Sequence, residues 1–181
     1  MSSLSRIFID RSIYWLTEEY PAKIAQCLDA LPDGELWART DANSNSIGNL
    51  LIHLNGNVTE WILGGIGKRD VARNRPAEFA AREGGRAKDL LDRLRTTLAA
   101  SAEVIGALSA ADLESACVIQ GRETTVLGAI YHVVEHFAMH TGQIVLLTKM
   151  RVPGAIHFYD DSEPVAKPLW KQGGDFGKMA G

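Results

Sequence analysis

Apolar residues recur at helical spacing through four long stretches of this chain, and this repetition constrains the fold more than any other feature of the sequence. The stretches cover about residues 4–31, 47–63, 86–108 and 126–150. In each of them, large apolar side chains return every three or four positions, which places them on one face of a helix. No stretch sustains the alternation of apolar and polar residues that is typical of a strand. We therefore expect an all-α protein built from four long helices.

Breaks in these patterns predict where the first two helices bend, begin and end. Pro21 lies inside the first stretch and is expected to kink that helix, because proline cannot donate a backbone hydrogen bond. Asn45 or Ser46 is expected to cap the second helix, since short polar side chains accept from its free N–H groups. Gly64 and Gly65 are expected to end it, because glycine adopts positive φ at little cost.

The segments between and after the helices carry few signs of regular structure. The loop up to Gly85 is long, and residues 115–123 predict a short irregular or hairpin-like connection. Thr124 or Thr125 is then expected to cap the fourth helix. Glycines and prolines accumulate in the tail, so we expect no regular element beyond about residue 155.

Four long helices joined in this way indicate an antiparallel four-helix bundle, in which facing side chains can build a site inside the core. With 46% hydrophobic residues, the chain can bury such a core without disulfides. We expect one domain over residues 1–181, with a bundle core at about 5–152 and an irregular tail at 153–181. The long loop and the tail are expected to cover one end of the bundle.

The composition argues against several classes of protein. A formal net charge of −3 and a pI of about 5.9 are unlike those of a nucleic-acid binder. No stretch approaches the ~20 apolar residues of a membrane-spanning helix, and the N-terminus lacks the apolar core of a signal peptide. Cys27 and Cys117 lie outside any C-x-x-C pair, which suits a reducing compartment. We therefore expect a soluble, cytoplasmic protein that binds neither nucleic acid nor membranes.

One basic cluster lies in the long loop and consists of Lys68, Arg69, Arg73 and Arg75. Acidic residues are interspersed with it, and short charged runs of this kind usually face water. We expect this cluster to form a solvated part of the loop.

The spacing of the histidines is the strongest functional feature. Three of the five, His132, His136 and His140, fall at steps of four in the last predicted helix, which keeps them on one face. A random chain of this histidine content would show roughly 0.1 such pairs, whereas this helix contains two. One pair can place two imidazole nitrogens about 2.1 Å from a metal ion. His132 and His140 lie about 12 Å apart along the axis, so either neighbouring pair fits and spacing does not choose between them.

A third ligand has to come from another helix, and His53 on the second helix is the candidate. Asn49, Asn57 and Glu60 lie along the same side of that helix at steps of three and four. Polar residues on a face that should be buried often mark a site. The alternative is that the two asparagines cap loops or face water. Glu60 has three open roles, as a general base, as an acceptor behind a ligand or as a surface charge.

Three segments resemble a known family. They are SNSIGNLLIHLNGNVTEWI at 44–62, the EF of RNRPAEF at 73–79, and HVVEHFAMHTGQI at 132–144. They are similar to the DinB/YfiT-like proteins, a four-helix-bundle superfamily whose members are classed as candidate metal-dependent enzymes. The resemblance spans about residues 5–160 and is to an uncharacterised branch of that superfamily.

The resemblance also implies a set of metal ligands. In that superfamily, a histidine on the second helix and an H-x-x-x-H pair before G-Q on the last helix form the metal triad, which corresponds here to His53, His136 and His140. His132 then lies one turn outside the triad, where it orients a ligand or lines the pocket. Gln143 lies on the same face as the pair and is expected to hydrogen-bond a ligand histidine.

A three-histidine site implies one divalent ion, either zinc or nickel or, as a further option, ferrous iron, with positions left for water or substrate. The resemblance implies a metal-dependent hydrolase or a thiol-dependent transferase that acts on a small-molecule substrate, which includes a low-molecular-weight thiol. It also implies a homodimer formed through the bundle helices. The alternative is a non-catalytic metal-binding or stress-related bundle that acts through protein–protein contacts. Exposed apolar residues on a helix pair would favour that alternative.

Overall fold

The computed structural model of the chain describes residues 3–160, 162 and 164–169. Its α-helices are α1 Ser3–Tyr14, α2 Tyr20–Ala30, α3 Ile47–Val58, α4 Arg75–Ala80, α5 Ala87–Gly106, α6 Ala110–Glu114 and α7 Val126–Arg151. Two π-helical turns, Trp15–Glu19 and Thr59–Ile66, extend α1 and α3 without a break. Four short strands complete the described part, namely β1 Ala116–Ile119, β2 Arg122–Thr125, β3 Tyr159–Asp160 and β4 Lys167–Pro168.

The four predicted helices form a bundle, which confirms the expected fold class. The first bundle helix is α1 with α2, the second is α3 with its π-helical turn, and α5 and α7 are the third and fourth. Helix α3 packs against both α5 and α7, and α2 packs against α7. The fully buried apolar side chains of the core include Ile9, Leu16, Ile24, Ile47, Leu54, Leu94, Leu98, Ile130, Val133 and Phe137. Burying each of them contributes about 1.5–3 kcal/mol.

Pro21 lies at the start of α2, directly after the π-helical turn Trp15–Glu19. Proline lacks the N–H of a helical residue, and its ring clashes with the carbonyl four residues earlier, here that of Thr17. A wider turn at this point accommodates the ring, so the helix continues from Ser3 to Ala30.

The prediction that Gly64 and Gly65 end the second helix was wrong. The helix continues through both glycines to Ile66 and ends where Lys68 adopts a φ of 55°. A Cβ on Gly64 would lie 2.5 Å from Val71 Cγ2, and one on Gly65 would lie 2.5 Å from Ile119 Cδ1. The two glycines therefore let the following loop and β1 pack directly against the helix, instead of terminating it.

The predicted connection around residues 115–123 is a β-hairpin. Strands β1 and β2 pair antiparallel, and both Gln120 and Gly121 at the turn have positive φ, of 55° and 71°. Thr125 caps α7 by accepting from the N–H of Gly128. The short helices α4 and α6 lie in segments where we predicted no helix.

The described part of the tail packs beside the bundle. Strands β3 and β4 pair over only two residues each, where no regular element was expected. The centroid of the Phe158 ring lies 5.9 Å from Lys23 Nζ and 6.0 Å from Lys149 Nζ, which places this segment against α2 and α7. The remainder of the predicted tail, residues 170–181, lies outside the described residues. Among the described helices, none combines the length and apolar character needed to span a bilayer.

Candidate metal centre

The Nε2 atoms of three histidines converge between α3 and α7. His136 Nε2 lies 3.1 Å from His53 Nε2 and 3.1 Å from His140 Nε2. His53 is supplied by α3, and the i, i+4 pair His136 and His140 is supplied by α7. Since these two helices pack against each other, residues 83 positions apart in the sequence meet at one point.

The Nδ1 atoms of two of these histidines are held by acceptors. His53 Nδ1 donates to Glu78 Oε2 over 2.7 Å, and His140 Nδ1 donates to Gln143 Oε1 over 2.7 Å. A hydrogen on Nδ1 leaves Nε2 of a neutral imidazole as a bare lone pair. Such outer hydrogen bonds orient metal-ligating histidines and fix their tautomer. Both rings therefore present lone pairs towards His136.

The hydrogen bonding of His136 indicates whether this arrangement fits a cation. Its Nδ1 is buried and has no hydrogen-bond partner among the described residues. If the hydrogen is on Nε2, one N–H has to serve both neighbouring rings while Nδ1 stays unpaired. If it is on Nδ1, that N–H has no acceptor among the described residues either, and three Nε2 lone pairs face one another. A divalent ion satisfies the second arrangement, because ligands about 2.1 Å from an ion at angles of 90–110° lie about 3.0–3.4 Å apart.

The electrostatics of the site favour neutral imidazoles. Burial, together with the neighbouring His140 and His53, lowers the pKa of His136 to about 3. Burial also lowers the pKa of His140 and outweighs its hydrogen bond to Gln143. A histidine has to be unprotonated to bind a metal. These three side chains also form a group of potential metal ligands whose donor atoms all lie within 4.8 Å of one another.

Behind His53, a buried ion pair connects α4 to the site. The Glu78 carboxylate accepts from Arg73 Nε over 2.6 Å and from Arg73 Nη2 over 2.9 Å, and both side chains are only 6% exposed. Burial alone would raise the pKa of Glu78, but the hydrogen bonds from Arg73 and His53 outweigh it and hold that pKa below its usual value. Arg73 Nη1 also donates to Glu60 Oε2 over 2.8 Å.

Asn49 holds α4 against α3, and Gly56 leaves room for this close approach. Asn49 Nδ2 donates to the carbonyls of Glu78 and Ala81 over 2.7 and 2.9 Å, while its Oδ1 accepts from the backbone N–H of Ser46 and closes the helix cap. A Cβ on Gly56 would overlap Glu78 Oε1. The backbone of α3 therefore leaves room for the carboxylate that orients His53.

A cavity of about 360 Å³ opens beside His53 and His136. Its lining residues are His53, Asn57, Trp61, Arg73, Arg75, Gln120, Arg122, His132 and His136. The ring centroids of His132 and Trp61 lie 4.2 Å apart, and those of His132 and His136 lie 5.5 Å apart. Burial, followed by the nearby charge of Arg122, lowers the pKa of His132. His132 therefore forms part of the cavity wall and lies outside the convergent Nε2 group.

The other polar residues predicted on the second helix occupy distinct positions. Asn49 is fully buried and lies in the support of α4, while Asn57 is 4% exposed and lines the cavity. Asn57 Oδ1 and Trp61 Nε1 are buried without a hydrogen-bond partner among the described residues. Glu60 accepts from both Arg73 and Gln120, so it connects the long loop to the β1–β2 turn.

Sequence reasoning missed Arg73 and Glu78. We expected the basic cluster in the long loop to face water, but the Arg73 side chain is buried between two carboxylates. The segment Asn74-Arg75-Pro76 was the available indication, because an asparagine cap followed by proline is typical of a helix start. Asn74 does cap α4, and that helix carries Glu78 to His53.

Comparisons with solved structures show the same fold. YfiT from Bacillus subtilis, described as a probable metal-dependent hydrolase with an unusual four-helix bundle topology, matches with a TM-score of 0.65 at 16% identity, over 78% of this chain and 86% of its own. A DinB-like protein from Bacillus cereus matches with a TM-score of 0.57 at 22% identity, over 76% of this chain and 91% of its own. A search of curated protein sequences finds no significant match.

A family model described as a protein of unknown function, DUF1572, matches residues 4–155. This match covers all four bundle helices, the long loop with α4 and each of the three converging histidines. The chain therefore belongs to the DUF1572 family, and it shares its fold with those two Bacillus proteins.

Proposed function

We propose that this protein is a metal-dependent enzyme whose His53, His136 and His140 hold one divalent ion through their Nε2 atoms. The convergence of those three atoms, with His136 Nε2 lying 3.1 Å from each of the other two beside a cavity large enough for a small molecule, carries the proposal. Three neutral imidazoles suit zinc, nickel or ferrous iron. Within the described residues, no fourth His, Cys, Asp or Glu joins the group, so positions remain for water or substrate.

The residues around the site have separable roles in this proposal. Glu78 and Gln143 orient the two outer histidines, and the Arg73 ion pair fixes Glu78. Trp61 and His132 form an aromatic wall against which a substrate packs. A divalent ion held here would act as a Lewis acid that lowers the pKa of a water or thiol.

Two reaction classes fit such a site, namely hydrolysis of an amide or ester and transfer of a low-molecular-weight thiol. The description of YfiT as a probable metal-dependent hydrolase supports the first. The family resemblance of the sequence supports the second. Free Cys27 and Cys117 suit the reducing cytoplasm in which low-molecular-weight thiols are abundant.

Metal content tests the site directly. Protein purified and refilled with zinc, nickel or ferrous iron is expected to hold about one ion per chain, and His136→Ala is expected to hold almost none. His132→Ala is the matched control, because it removes a histidine from the same helix face and is expected to keep the ion. Full metal content in His136→Ala would overturn the proposal.

Activity is tested on the same preparations. Conjugation of an electrophile with small thiols and hydrolysis of amides and esters are measured with wild type and with His136→Ala. Turnover that is lost in the variant and restored by metal only in wild type supports an enzyme. Bound metal without activity on any of these substrates favours a second candidate function, a non-catalytic metal-binding protein that acts through protein contacts.

An exposed apolar stripe on α7 favours that second candidate and also supports a homodimer. Its members lie at helical steps on one face and are Leu127, Tyr131, Met139, Leu146 and Met150. We propose that two copies pair through this stripe. Sedimentation of Leu146→Glu is expected to show a monomer, while Ala99→Glu, on the exposed face of α5, is expected to keep the dimer. A monomeric wild type would contradict the pairing and leave the metal site untouched.

A further inference from the structure

Two of the arginines that line the cavity have no carboxylate partner among the described residues. Arg75 starts α4 and Arg122 starts β2, so they approach the cavity from different parts of the fold. Neither forms an ion pair within the part of the chain that the structure describes, whereas the neighbouring Arg73 is bound by Glu60 and Glu78. A pair of unpaired guanidinium groups at one cavity is a recognition feature for carboxylate or phosphate.

The position of Arg75 is set by aromatic stacking. Its guanidinium carbon lies 4.9 Å from the centroid of the Phe79 ring, and that ring lies 4.6 Å from the centroid of His53. One aromatic ring therefore separates Arg75 from the converging histidines. Stacking on an aromatic face holds a guanidinium while leaving its N–H groups free to donate.

The position of Arg122 is set by the hairpin. Gln120 at the turn donates to Glu60, which itself accepts from Arg73, so the turn is tied to the second bundle helix. Arg122 follows two residues later and pairs in the strand register with the buried Ile119. Its charge lies close enough to His132 to contribute to the lowered pKa of that histidine.

The charges around the cavity favour an anion. Among the described residues, no carboxylate lines it, and Glu60 and Glu78 behind its wall both form ion pairs with Arg73. Arg75 and Arg122 are therefore the two arginines of the described lining that no carboxylate neutralises by direct contact, and Glu135 acts on His132 only from outside the lining. Walls of one charge sign concentrate ligands of the opposite sign in a cleft.

We propose that the cavity takes a small organic substrate that carries an anionic group, a carboxylate or a phosphate, and that Arg75 and Arg122 bind this group. The body of the substrate then packs against Trp61 and His132, and its reacting end faces the three Nε2 atoms. Anion binding depends only on the arginines of this chain, whereas the role of the anion as a substrate rests on the proposed function.

Calorimetric titration with succinate and with inorganic phosphate tests this inference, with neutral succinamide as the uncharged probe. Wild type is compared with Arg75→Gln/Arg122→Gln and with Arg93→Gln/Arg95→Gln, which removes the same charge from the exposed face of α5. Metal content and circular dichroism are matched across the three proteins. The cavity variant is expected to bind the anions at least about tenfold more weakly, the α5 variant is expected to match wild type, and succinamide is expected not to bind.

Three outcomes would overturn the anion site: absence of anion binding in wild type, equal weakening in both variants, or equal affinity in wild type and the cavity variant. Equal affinity would mean that the anions bind the metal alone. Failure of the proposed function would give a different result. If the protein is inactive but its anion binding still depends on Arg75 and Arg122, the proposed function is wrong and the anion site stands. If the protein is active but loss of both arginines changes turnover of neither anionic nor neutral substrates, the anion site is wrong and the proposed function stands.

Discussion

Replacing Glu78 with glutamine removes one charge and preserves the shape of the side chain. The carboxylate accepts from His53 Nδ1 over 2.7 Å and from Arg73 over 2.6 and 2.9 Å. Glutamine keeps only one of the two oxygens, and its NH₂ group then faces an N–H of either His53 or Arg73, which it cannot accept from. Removing one partner of a buried ion pair typically costs about 3–5 kcal/mol. Arg73 retains Glu60 at 2.8 Å, so we expect a loss of about 2–3 kcal/mol in the free energy of unfolding.

For a chain of this length, that loss corresponds to a fall of about 5–10 °C in Tm, measured in the presence of a chelator so that metal binding does not contribute. In a separate competition titration, Glu78→Gln is expected to bind the divalent ion about 10–100-fold more weakly, because His53 loses the acceptor that orients it. Glu103→Gln, on the exposed face of α5, is the control and is expected to change neither quantity. A Tm and a metal affinity that both match wild type would refute the reasoning.

Three further perturbations have defined outcomes. Gly56→Ala pushes a Cβ into the Glu78 carboxylate and is expected to lower unfolding stability by about 1–3 kcal/mol and to weaken metal binding. Gly106→Ala, whose Cβ would meet its nearest neighbour at 3.7 Å, is expected to do neither. Asn49→Ala removes the donor to the Glu78 carbonyl and an acceptor in the cap of α3, while the Ala81 carbonyl still accepts from Arg39 and Arg82. We expect it to cost about 2–4 kcal/mol in chemical denaturation, so a loss below about 1 kcal/mol would contradict that support role. The metal-free protein is expected to lose stability as the pH falls below about 6.5, because the folded-state pKa of His136 is about 3 and only the unfolded chain takes up that proton in between. The slope is up to about 1.4 kcal/mol per pH unit, measured by denaturation at several pH values, and a stability that is constant over this window would contradict it.

The bundle followed from the sequence because its determinants are local. Apolar spacing identified all four long helices, and capping chemistry predicted Ser46 and Thr125 as alternatives that the structure then selected. The end of the second helix was predicted wrongly at Gly64 and Gly65 because it does not depend on local sequence alone. Whether a glycine ends a helix or lets another segment pack against it depends on Val71 and Ile119, whose positions are fixed only by tertiary structure.

The site divides in the same way. The step of four between His136 and His140 is visible in one helix, but spacing allowed His132 equally well. In the structure, the ring of His132 packs against Trp61 while the other two histidines face His53, an outcome decided by the packing of α3 against α7. Glu78 could not be placed from spacing, because it reaches His53 only after α4 folds back along α3.

The central claim is that three Nε2 atoms hold one ion, and an anomalous-difference map of a crystal grown with the metal tests it most directly. The account predicts a single peak about 2.1 Å from the Nε2 atoms of His53, His136 and His140, with at least one position not filled by protein. A map with no peak between α3 and α7, or with a peak coordinated by His132 in place of His140, would contradict it.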